Sequence, residues 1–171
     1  MRWLQEDEQR TWRAFIGASQ LLFVQLSREL QRDAAIPHGY YEILVRLSES
    51  PDHRLRMSEL ATASLSSRSR LSHAIARLEE AGWVRREACP SDKRGMLAVL
   101  TDEGFRALEQ AAPGHVAAVR QHVFDQLTAE EVDALGRIST KILDHLRQFV
   151  PDRPEDAGDD EGSDLGSPPR C

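Results

Sequence analysis

Residues 66 to 94 gather the side chains best suited to grip a polyanion with base-specific edges. At 100° per residue, Leu71, Ala74, Ile75 and Leu78 fall at i, i+3, i+4 and i+7 and form one apolar stripe. Ser69, His73, Ala76 and Arg77 then fall opposite it, flanked by Arg70 and Ser72, with Arg68 and Ser67 at the start of the run. No acidic residue interrupts this face before Glu79. A face of serines, a histidine, one small residue and arginines suits a DNA major groove. Arginine can donate twice to guanine O6 and N7, and serine or histidine can reach single base edges; a good bidentate pair supplies about 1–3 kcal/mol of discrimination. Taken alone, such a face is more often simply solvated, so the neighbouring elements decide the reading.

Those neighbours read as helix, turn, helix and β-hairpin. Residues 58–61 (SELA) begin a short helix. The second helix opens at Ser66 and Ser67, with Ser66 as the expected N-cap, worth about 1 kcal/mol, and it stops at Gly82. Two β-like runs follow, residues 83–89 and 96–101. Between them residues 90–95 (PSDKRG) are turn formers, expected to project as a charged tip. An arginine at that tip, Arg94, can enter a narrow A·T-rich minor groove. Lys93 adds charge, and Asp92 can orient the guanidinium through a charge-assisted bond.

In this order and at these spacings, residues 58–104 resemble the winged helix-turn-helix core of the MarR family of bacterial transcription regulators. The matching pieces are SELA at 58–61, RLEEAGWVRR at 77–86 and DKRGMLAVLTDEG at 92–104. The last is the most specific. The resemblance implies a mainly α fold with a small antiparallel β-wing, an α+β winged-helix lobe over about residues 40–101. Long helices at about 5–33 and 102–149 would form a dimerisation lobe, giving one domain over 1–150. It also implies a homodimer on a pseudo-palindromic double-stranded operator. A small aromatic or phenolic acid as effector would sit where Trp12, Phe15, His38, Tyr40 and Tyr41 line a cleft between the lobes.

The rest of the chain agrees with that plan. Trp12, Phe15, Ile16, Ser19, Leu22, Phe23, Leu26 and Leu30 keep a helical stripe longer than one small domain needs, so a partner chain is expected to cover part of it. Pro37 and Gly39 punctuate the chain before a second stripe at Tyr40, Ile43, Leu44 and Leu47. Residues 54–57 can add a third strand to the wing. A helix from Thr101 to about residue 127, kinked at Pro113, leads to a capping box at Thr128 and Glu131 and a final stripe through Val132, Leu135, Ile138, Ile142, Leu146 and Phe149.

Composition bounds the alternatives. The net charge of −6 looks wrong for a DNA binder until it is divided along the chain. Roughly −5 belongs to residues 151–171, an acidic tail without periodicity that is expected to be disordered. Residues 64–95 carry about +3. No apolar run spans a membrane, and the start MRWLQEDEQR lacks the apolar stretch of a signal peptide, so a cytoplasmic location is expected. Two cysteines make no disulfide framework, and Cys89 is read as packing. His115 and His122 lack further ligands at zinc spacing, so neither metal nor cofactor is expected. No phosphate loop, nucleophile elbow or paired carboxylates mark an enzyme. The alternative is a winged-helix dimer that binds protein instead of DNA, which the retained positive charge argues against.

Overall fold

The computed structural model describes residues 1–64, 67–89 and 92–149, with the backbone alone for 92–94. Six α-helices and three strands follow in the order α1 (Glu6–Ala34), α2 (His38–Ser48), β1 (Arg54–Arg56), α3 (Met57–Ala63), α4 (Arg68–Glu80), β2 (Val84–Cys89), β3 (Asp92–Leu100), α5 (Asp102–His122) and α6 (Ala129–Arg147). The fold is thus mainly helical with a small antiparallel sheet. Among the described residues no helix is long and apolar enough to cross a membrane. The expected acidic tail, residues 151–171, lies outside the described residues.

The helix ends have identifiable causes. The N-terminus of α1 is closed by a capping box between Gln5 and Glu8, with three acids in its first turn favoured by the helix dipole. Ala35, left-handed at φ 55°, ends α1, and Pro37 sets the extended entry to α2. Thr128 and Glu131 make the expected capping box of α6. The helix after the wing is shorter than expected. It runs through Pro113 but stops at His122, where Val123 leaves helical geometry and a 3-10 turn, Phe124–Gln126, follows.

The sheet order is β1-β3-β2. The third strand foreseen before α3 is β1, which pairs Arg54 with Val99, Leu55 with Ala98 and Arg56 with Leu97. The core lies under this sheet and between α2, α3, α4 and α5. Leu44, Leu47, Leu60, Leu71, Ile75 and Leu78 are its largest fully buried side chains. Removing such side chains from water supplies about 1.5–3 kcal/mol each, which holds the helix-turn-helix against the sheet.

The junction from α4 into the wing, and from the wing into α5, is closely built. Gly82 takes φ 75°, a left-handed value that glycine adopts without strain, just after α4 ends. Thr101 Oγ1 donates to the Gly82 carbonyl at 2.7 Å and accepts from the Gly104 N–H at 3.0 Å. A Cβ on Gly104 would stand 2.1 Å from the Trp83 carbonyl oxygen, so only glycine lets α5 start this close to the wing.

Candidate nucleic-acid interface

Helix α4 buries the stripe that its sequence predicts. Leu71, Ile75 and Leu78 are in the core, Ala74 packs at its margin, and Arg68, Ser69, Arg70, Ser72, His73 and Arg77 are exposed. Its N-cap is Ser67, whose Oγ accepts from the Arg70 N–H at 3.3 Å, and not Ser66 as expected. Ser66 itself lies outside the described residues. The capping oxygen satisfies one orphan donor; the remaining free N–H groups and the helix dipole make this end favourable for phosphate.

Charge along the face is uneven. Arg77 Nη1 donates to Glu80 Oε2 at 2.7 Å, and that carboxylate pushes the Arg77 pKa further up. Arg85 Nε donates to Glu87 Oε1 at 2.6 Å. The Arg86 N–H donates to Glu79 Oε1 at 3.0 Å and Arg86 Nη2 to the Ser72 carbonyl at 3.1 Å. Acids therefore neutralise the C-terminal turn of α4 and strand β2. The Arg70 side chain has no ion pair among the described residues, so its charge is more available than that of Arg77, Arg85 or Arg86.

The wing differs from its expected form. Strand β3 begins at Asp92 instead of 96, so the residues read as a projecting tip are partly strand. Cys89 pairs with Asp92 and Ala88 with Met96, and the register shift between these pairs takes up Lys93, Arg94 and Gly95. Turn-forming residue types are thus accommodated by a bulge, which extra residues on one strand require. The proposed support of Arg94 by Asp92 concerns side chains outside the described residues. Cys89 is buried beside Leu97 and Val99, and Arg56 Nη2 donates toward its sulfur at 3.5 Å.

The five residues expected at a ligand cleft are brought together in part. A cavity of about 270 Å³ opens between α2 and α5, and its walls include His38, Tyr41, Glu42, Arg46 and His115. His38 is there as expected. Tyr40 is half-buried and packs against the core instead; its neighbour Tyr41, there as expected, is itself buried in the core and also lines the cavity, its ring centroid 4.6 Å from that of His115. Trp12 and Phe15 are neighbours on α1, centroids 6.3 Å apart, exposed and away from the cavity lining. Arg46 Nε and His115 Nδ1 are buried without hydrogen-bond partners among the described residues. Burial and the adjacent His38 lower the His115 pKa, with Glu42 opposing. His122 pairs with Glu29 at 3.0 Å, joining α5 to α1. Among the described residues no group of three or more His, Cys, Asp or Glu side chains is placed to hold a metal ion.

Residues 36–96 match the MarR family. The HTH-type transcriptional repressor YetL of Bacillus subtilis is 31% identical over 114 residues, 67% of this chain and 68% of that protein. The transcriptional repressor MprA of Escherichia coli is 30% identical over 109 residues, 64% of this chain; the match spans 61% of that repressor's length. Among solved structures, Sco3205, a MarR family transcriptional regulator from Streptomyces coelicolor in complex with DNA, superposes with a TM-score of 0.84. It is 56% identical and covers 90% of this chain and 96% of its own.

Proposed function

Given that this chain belongs to the MarR family of transcriptional regulators, we propose that it is a homodimeric repressor of a pseudo-palindromic operator, released by a small aromatic or phenolic acid or another signal. Its homologues are regulators and not enzymes. The observation that carries the reading is the acid-free, exposed N-terminal half of α4, held on a fully buried Leu71–Ile75–Leu78 stripe beside a wing. In this reading Ser69, Arg70 and His73, with Arg68, address base edges in the major groove. Ser67, Ser72 and Arg77 hold phosphates, with Arg77 leaving Glu80 to do so. Ser66, which precedes Ser67 in the sequence, joins them in this reading. Arg94, with Lys93 and Asp92, enters the adjacent minor groove.

Dimerisation would cover the apolar faces that α1 and α6 present to solvent, and two-fold symmetry would set half-sites about one helical turn, ~10 bp, apart. The signal would act at the α2–α5 cavity, where Arg46 offers a donor to a carboxylate and Tyr41, His38 and His115 offer ring faces. A ligand seated there would favour a lobe spacing that no longer fits successive grooves. The place of action is the cytoplasm, in reach of chromosomal DNA.

Selection from a random duplex pool tests this reading. It should enrich a two-fold sequence with half-sites about 10 bp apart; enrichment of an asymmetric or featureless pool would count against it. On the selected site, Arg94→Ala should weaken binding most where the flanks are A·T-rich. Arg77→Ala should weaken all sequences alike and lower the salt slope by about one. Equal losses for both variants on every sequence would remove Arg94 from the minor groove.

A further inference from the structure

We propose that Glu79 and Arg86 are positioning residues that fasten the recognition helix to the wing, so that both meet DNA as one rigid body. The inference rests on the reading of α4 and the wing as the DNA-contacting elements. Its geometry does not. Strand β2 is an edge of the sheet, and an edge leaves alternate backbone N–H groups without a ladder partner. The outward Arg86 N–H is satisfied by Glu79 Oε1 at 3.0 Å, from the last full turn of α4. The same carboxylate faces the side chain of that residue, with Oε2 3.2 Å from Arg86 Nε, as an ion pair without hydrogen-bond alignment. Arg86 Nη2 then reaches the Ser72 carbonyl at 3.1 Å. One arginine therefore contacts α4 at positions seven residues apart, about 10 Å along the helix.

The pair is two-thirds buried on both sides, with side-chain exposures of 31% and 33%, whereas Arg77–Glu80 lies in the open on both sides and Arg85 is exposed beside a half-buried Glu87. A shielded arginine whose planar fork makes two contacts, with a third from its own backbone N–H, holds geometry better than an exposed pair. Among the described residues the Arg85 side chain bonds to Glu87 on its own strand and does not link strand to helix. Arg86, although basic, is spent on the protein itself. A helix in the major groove and a wing over the neighbouring minor groove require a fixed spacing between them, and this link is the polar contact that sets it.

The proposal predicts a sign opposite to simple electrostatics. Removing an acid near a DNA-binding face should tighten binding if charge alone matters; Glu79→Met should instead weaken operator binding about tenfold, as should Arg86→Met, with Glu79→Gln intermediate because its amide oxygen still accepts from the Arg86 N–H. The direct test is the distance distribution, by double electron–electron resonance without DNA, between spin labels carried on unnatural amino acids at His73 and Met96. It should be narrow in the labelled parent and in Arg85→Met, and broad in Glu79→Met and Arg86→Met, with melting temperature followed in parallel. If Glu79→Met does not fold, Glu79→Gln supplies the same comparison. Unchanged distributions, or tighter binding by Glu79→Met, would overturn the proposal. Absence of DNA binding by the parent would overturn the DNA-binding reading instead, while the distance measurement still decides the link.

Discussion

Helices α4 and α6 carry apolar side chains at the same period, yet one stripe is sealed and the other is open. In α4, Leu71, Ile75 and Leu78 are at most 1% exposed. In α6, Ile138, Ile142 and Leu146 remain 58%, 41% and 51% exposed, and no residue of the helix is buried. The period is a statement that a face will be covered; it does not say by which chain. For α4 the cover is the same polypeptide, delivered by short connections to α2, α3 and the sheet. For α6, and for the exposed Phe23 and Val24 of α1, an apolar surface of this extent marks an interaction site.

That contrast can be broken most forcefully by charging the open stripe. Ile138→Asp with Ile142→Asp should shift self-association by two or more decades while leaving the lobe around α4 folded, as read by sedimentation equilibrium beside circular dichroism. Loss of the α4 lobe together with the dimer would show that the two regions are not separable. Next in size, Ile75→Ala should cost about 2–5 kcal/mol in denaturant unfolding, because the cavity it leaves is enclosed on every side. Ile142→Ala should cost far less in the dissociated chain.

Smaller effects sharpen the boundary between the wing and α5. Thr101→Ala removes the cap of α5 and should cost about 1 kcal/mol, measured by the same unfolding assay. Smallest is a pH effect at His115. Its pKa is lowered by burial, so the folded protein binds fewer protons than the unfolded chain. Stability should therefore be full above the ordinary histidine value, near 6.5, and decline as pH falls from there towards the lower folded value. His115→Asn should flatten that decline; an unaltered profile would assign it to another group.

Much of this was legible in the chain itself, for identifiable reasons. Helical stripes and caps depend on spacings of three and four residues, so α1, α2, α4 and the Thr128 box were placed by pattern. The wing tip was misjudged because Asp92 and Gly95 are turn formers by type, while the register shift at Cys89 is a property of two strands together. Tyr40 and Tyr41 are adjacent and both meet the core, and nothing local decides that Tyr41, and not Tyr40, also lines the cavity. The Glu79–Arg86 link was missed because it joins a helix to a strand edge, a contact that no periodicity encodes. Arg86 read from sequence as one more positive charge.

The most direct test of the central claim is fluorescence anisotropy of the purified protein on DNA from immediately upstream of its own gene, against a scrambled duplex, across a salt series. The account predicts a preference of about 10³-fold or more for the upstream site. Equal affinity for both duplexes, with binding lost steeply as salt rises, would contradict sequence-specific recognition there.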